Sequence, residues 1–166
     1  MILILVRHGE AGERDPQQFP DDDLRPLTAD GRRKQTNAAR GMKQLDIVAQ
    51  AMFTSPLLRA VQTAEIIAEV HGMDPAEKTD ALAPGCTAQK LAELVAALPP
   101  RSSVFLVGHE PSLSHCAAAF IARNPTAEID LKKSGVIGIE FDAVVKPGAG
   151  RLLYLLKPKF LRRARH

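Results

Sequence analysis

The sequence predicts an α/β domain, a three-layer sandwich with a mostly parallel central sheet, helices on both faces and an antiparallel C-terminal hairpin at one edge. Three observations carry this. Ile2-Leu3-Ile4-Leu5-Val6 and Ser103-Val104-Phe105-Leu106-Val107 are apolar runs of the kind that form strands covered on both sides. Between them the apolar spacing switches to the helical period, giving the order strand, helix, strand, helix, helix, strand, helix. Finally, Lys146-Pro147-Gly148-Ala149-Gly150 reads as a turn between two strand-like segments, Gly135 to Phe141 and Arg151 to Leu156.

Each element has a local reason. Ile2 to Val6 open the chain as a central strand, and Gly9 lets the backbone turn sharply after it. Residues 9 to 26 are polar and contain Asp21-Asp22-Asp23, Pro16, Pro20 and Pro26, so they form a long loop positioned to fold over the strand end. Thr28 caps a helix reaching about Leu45, weakened by Gly31 and Gly41. Ala51-Met52-Phe53-Thr54 is a short buried strand; Ser55 then caps and Pro56 opens a helix with Leu57, Ala60, Val61, Ala64, Ile67 and Ala68 on one stripe, ended by His71-Gly72. A brief strand near Ala76 to Thr79 precedes a helix capped by Thr87 and stopped by Pro99-Pro100. After the strand 103–107, Pro111 opens a helix whose buried face holds Leu113, Cys116, Ala117, Phe120 and Ile121.

With 166 residues, 45% hydrophobic and 25% charged, the chain fits one domain, residues 1–157, followed by a basic tail, 158–166. The net charge is +3, and Lys157, Lys159, Arg162, Arg163 and Arg165 alone exceed it by two, so the rest is weakly acidic. A solvated or weakly ordered end is therefore expected at the tail. One Tyr and no Trp offer no stacking platform, so nucleic acid is not an expected partner. The opening apolar run is too short to span a bilayer, which points to no membrane association and a cytoplasmic monomer. Cys86 and Cys116 show no ligand spacing and read as reduced thiols, Cys116 as core.

The chemistry sits where strands end. Arg7-His8-Gly9, Ser55-Pro56-Leu57-Leu58-Arg59 and Gly108-His109-Glu110-Pro111 each follow a strand, and neighbouring parallel strands would bring Arg7, His8, Arg59 and His109 together. Two guanidinium forks match phosphate oxygens, so Arg7 and Arg59 make an anion site. A neutral His8 can attack phosphorus through one ring nitrogen if the other donates to a carbonyl, with His109 and the arginines neutralising charge on the transferred group. No cofactor and no metal are required. A metal site from His8, Glu10, His109 and Glu110 would leave both arginines unexplained. His71, His115 and His166 read as helix end, helix surface and tail. Unperturbed, His8 would lose its nucleophilic form near pH ~6.5.

Arg7-His8-Gly9, Ser55-Pro56-Leu57-Leu58-Arg59-Ala60-Val61-Gln62-Thr63-Ala64 and Gly108-His109-Glu110-Pro111 together resemble the histidine phosphatase superfamily, also called phosphoglycerate mutase-like, over roughly residues 1 to 125. The short length and Leu24-Arg25-Pro26-Leu27-Thr28-Ala29-Asp30-Gly31-Arg32 look most like the SixA-type phosphohistidine phosphatases. The resemblance implies a metal-independent phosphatase with His8 as the phosphorylated catalytic nucleophile and Arg7, Arg59 and His109 as the phosphate-binding residues, acting on a phosphorylated, phosphohistidine-bearing protein or on a small phosphorylated substrate. Many members carry a glutamate donor where this chain has Ala81-Leu82-Ala83-Pro84-Gly85-Cys86, without an acid. An ester with a poor leaving group wants such a donor, whereas a phosphoramidate needs it less. The loop acids Glu13, Asp15 and Asp21 to Asp23 are the candidate substitutes, as proton donor or substrate contact. The competing readings are a phosphomonoesterase on a small metabolite or phosphoserine-type residue, and a non-catalytic phosphate-binding module.

Overall fold

Leu3, Ile4, Leu5 and Val6 are all sealed from solvent, and their alternating side chains serve two separate cores. That double demand makes β1 (Ile2–Arg7) an interior strand. A computed structural model describes residues 1–123 and 128–164; Arg165 and His166, assigned above to the tail, lie outside the described residues. The sheet comprises β1, β2 (Ala51–Thr54), β3 (Glu77–Lys78), β4 (Ser103–Gly108), β5 (Val136–Glu140) and β6 (Arg151–Leu156), in the order β3-β2-β4-β1-β5-β6. The pairs β3-β2, β2-β4 and β4-β1 are parallel, while β5 runs antiparallel to β1, and β6 to β5.

Leu3, Leu5, Val104 and Leu106 face α3 (Ala88–Val95) and α4 (Ser112–Ile121); Ile4, Val6, Phe105 and Val107 face α1 (Ala29–Gln44) and α2 (Leu58–His71). Each such side chain contributes about 1.5–3 kcal/mol on burial, and a Leu106→Ala cavity would cost about 2–5 kcal/mol. The helix ends follow the expected chemistry. Thr28 Oγ1 accepts from Gly31 N at 2.9 Å, Thr87 Oγ1 accepts from Lys90 N at 3.3 Å, and Gly72 closes α2 at φ 69°, a left-handed conformation open to glycine. Cys86 and Cys116 are buried free thiols with Sγ atoms 3.8 Å apart.

Three expectations need correction. α2 begins at Leu58 rather than at Pro56, and the Ser55 hydroxyl, which accepts from Leu57 N at 3.3 Å ahead of the helix, also meets His109. The tail does not trail into solvent: Pro158–Arg163 form α5, and Leu161 is 0% exposed in the core shared with α1 and α2. Gly31 and Gly41 are not simple weaknesses of α1. A Cβ on Gly31 would lie 2.0 Å from the Glu10 carbonyl, and one on Gly41 1.8 Å from the Leu161 carbonyl. The helix is notched at both ends, once for the loop after β1 and once for α5.

Candidate active site

Strand register forces the two histidines together. Arg7 pairs with Gly108 at the end of β1 and β4, so the next residue on each strand is a histidine, and His8 N donates to Gly108 O at 3.0 Å. The rings sit with centroids 5.1 Å apart, tilted by 56°. β2 flanks β4 in parallel with Thr54 opposite Val107, which delivers Ser55 to the same edge, its Oγ 2.8 Å from His109 Nε2. His8 Nδ1 lies 2.7 Å from the Gly9 carbonyl. A carbonyl only accepts, so Nδ1 carries the proton and Nε2 holds a free lone pair. Gly9 is not in the left-handed region, and a Cβ there would press on the Leu27 side chain, with Cδ2 at 3.3 Å.

The two arginines close in from opposite sides of the sequence. Arg7 donates from Nη1 to Leu131 O at 2.8 Å, and no carboxylate among the described residues lies within salt-bridge reach of it. Arg59, on the first turn of α2, is only 6% exposed; Nη1 donates to Asp22 O at 2.9 Å and Nη2 lies 3.3 Å from Asp22 Oδ2. Each guanidinium keeps a buried Nε–H with no partner. Leaving such donors unpaired costs about 1–3 kcal/mol each, so the arrangement favours an incoming anion with several acceptor oxygens.

The α2 motif holds the surrounding backbone. Thr63 Oγ1 accepts from Gly9 N at 2.9 Å and donates to Arg59 O at 2.7 Å, while Gln62 Oε1 accepts from Leu27 N at 2.8 Å. Among the loop acids, Asp22 is the one that reaches the cluster, with Oδ1 also 2.8 Å from Arg25 Nε. Glu13, Asp15 and Asp21 are exposed; Asp15 accepts from Gln17 N and Asp21 from Asp23 N, and none of the three contacts Arg7, His8, Arg59 or His109. Glu10 pairs with Lys34 at 2.8 Å, and Glu110 receives the Ser114 amide and hydroxyl at the start of α4. The geometry thus engages both glutamates of the metal alternative elsewhere. His71 links helices, its Nε2 3.1 Å from Ala39 O, and His115 is exposed on α4.

Burial and cations set the protonation. His8, 8% exposed, has its pKa lowered to about 3, first by desolvation and then by His109, Arg59 and Arg7, against the Gly9 hydrogen bond. His109, 3% exposed, is lowered to about 4 by desolvation, Arg59 and Arg7. Both imidazoles are neutral well below the range expected for an unperturbed ring. The Asp22 carboxyl is held below the usual range, chiefly by its hydrogen bond from Arg25. It is a carboxylate at neutral pH, without a proton to donate.

The model of the histidine phosphatase superfamily (branch 1) matches residues 3–84, and a protein of Picosynechococcus sp., itself uncharacterized, is 35% identical across 97% of this chain and 99% of its own. The chain belongs to the histidine phosphatase superfamily. The fold agrees: the protein histidine phosphatase SixA complexed with tungstate superposes with a TM-score of 0.83 at 23% identity, covering 97% of this chain and 99% of that one. A phosphoserine phosphatase mutant from Entamoeba histolytica, in complex with phosphoserine, gives 0.70 at 16% identity over 96% and 98%. Within this histidine phosphatase superfamily member, sequence reasoning passed over the contacts of Ser55, Thr63, Asp22 and Arg25. Ser55 and Thr63 open and nearly close the α2 motif, and their hydroxyls among its apolar residues were the available signal. Gln35, fully buried on α1 with its amide unpartnered, was equally visible as a polar residue on an apolar face.

Proposed function

We propose that this protein is a metal-independent phosphatase that works through a phosphohistidine intermediate on His8, most favourably on a phosphohistidine-bearing protein, as in SixA-type enzymes. One observation carries the reading: the half-buried Arg7 and the buried Arg59, each with a sealed and unpaired Nε–H donor, accompany an imidazole whose Nδ1 is committed to a backbone carbonyl. Arg7, Arg59 and His109 would bind the phosphoryl oxygens, and no cofactor is needed. In the first step His8 Nε2 forms a bond to phosphorus as the bond to the leaving nitrogen breaks. A phosphoimidazole already protonated on its other nitrogen departs as neutral imidazole, so no acid is required. Water then attacks the phosphorylated His8, releasing inorganic phosphate and the free ring. The ionised Asp22 and the distant Glu13, Asp15 and Asp21 support this leaving group over an alkoxide. Within this reading the protein acts as a cytoplasmic monomer.

The test is to mix the enzyme with labelled phosphohistidine peptide, quench it, and count acid-labile phosphate on the protein. Label on the parent and none on His8→Ala is the expected result; equal label on both overturns the assignment. Cleavage of a phosphohistidine peptide is expected to outpace that of an alkyl phosphate, and the reverse order would favour the phosphomonoesterase reading.

A further inference from the structure

The basic tail is not a free arm, and its position gives it a use. α5 lies against α1, with the Leu161 carbonyl in the notch at Gly41, and this sets Arg162 beside Lys34. A cavity of about 370 Å³ there is lined by Arg7, Lys34, Lys132, Lys133 and Arg162, with Glu10 its one carboxylate. A second, of about 410 Å³, adds Arg33, Lys159 and Arg163 and holds no acid. The two share Lys34 and Arg162, so they form one trough running from an arginine of the active site to the end of α5. Lys34 is neutralised by Asp30 at 2.5 Å and Glu10 at 2.8 Å, Arg33 is paired with the same Asp30, and Lys132 lies 2.9 Å from Asp130. Lys133, Lys159, Arg162 and Arg163 have no carboxylate within salt-bridge reach among the described residues.

We propose that this trough docks acidic residues flanking the phosphorylated side chain of a protein substrate, an inference that rests on the phosphatase reading above. Arg7 belongs to both the trough and the phosphoryl site, so whatever lies in the trough continues a chain whose phosphoryl group is at His8. The spaced cations match several carboxylates better than one small metabolite. A nucleic acid would gain backbone contacts but no stacking, because no aromatic ring lines either cavity. Such rim charges act on association and selectivity and weaken with salt.

Two phosphohistidine peptides, one flanked by four glutamates and one by four glutamines, separate the outcomes. The parent is expected to show a kcat/KM ratio of roughly ten in favour of the glutamate peptide at low salt. K133E/R162E should bring that ratio to one or below, and K133Q/R162Q to an intermediate value, with circular dichroism confirming the fold. A ratio near one in the parent, or one that survives in K133E/R162E, overturns the proposal. Anisotropy with the unphosphorylated peptides gives a readout independent of turnover: glutamate-specific binding lost in K133E/R162E supports docking even if phosphohistidine is never cleaved, which would sink only the phosphatase reading. Tighter binding of a single-stranded oligothymidylate than of the glutamate peptide would overturn acidic-peptide docking in favour of nucleic acid.

Discussion

Arg7 and Arg59 are the same residue type facing the same imidazole pair, yet they are held by opposite means. Arg7 belongs to β1 and is anchored through Nη1 to a neutral acceptor, the Leu131 carbonyl, so its full positive charge is left for an anion. Arg59 stands on α2 and is already engaged by Asp22, through both the backbone oxygen and the carboxylate. A residue rooted in sheet register is placed once and keeps its charge. One that bridges a helix and a loop shares its charge with a loop carboxylate, which an arriving phosphoryl group must outcompete or displace.

That contrast can be broken experimentally. The largest effect is expected from Arg7→Ala, with kcat/KM for phosphoryl transfer falling roughly a thousandfold; Arg59→Ala should cost about a hundredfold, because it also releases the Asp22 tether. An Arg59→Ala loss equal to or above that of Arg7→Ala would remove the distinction. Next comes acid. With His8 lowered to about 3, kcat/KM corrected for substrate ionisation should hold down to pH 5, where an unperturbed ring of pKa ~6.5 would already have lost about thirtyfold. The same shifts make acid destabilising. The unfolded chain takes up protons on His8 and His109 from about pH 6.5, whereas the folded chain resists until about 3 and 4, so stability is greatest above 6.5 and declines as pH falls through that window. A urea midpoint unchanged between pH 7 and pH 5 would contradict the burial argument. The smallest effect is expected from Asp22→Asn, which removes the competing charge and should tighten inorganic phosphate binding by up to about tenfold, read by calorimetry. Weaker binding would mean that Asp22 orients Arg59 rather than competing with its ligand.

Much of this was legible in the letters. Apolar runs flanked by helical stripes identified β1 and β4, and their endings in Arg7-His8 and Gly108-His109 marked the site before any coordinates. The turn chemistry of Thr28, Gly72 and Thr87 was equally plain, because a cap needs only its own neighbours. Pro56 misled, since the helix starts at Leu58, and nothing nearby in the chain announced that Ser55 would meet His109 from 54 residues away. Nor could composition say that Arg162 returns to Lys34, or that Cys86 and Cys116 lie side by side.

By itself, then, the sequence determined the strands, the residues that end them and hence the kind of anion they attract, because periodicity and register act between near neighbours and repeat along the chain. Tertiary structure alone decided which of several acids meets Arg59, how far His8 and His109 are driven toward the neutral form, and that a basic tail becomes a wall beside Arg7. Those outcomes depend on desolvation and on contacts between segments far apart in the chain, which exist only once the whole core has packed.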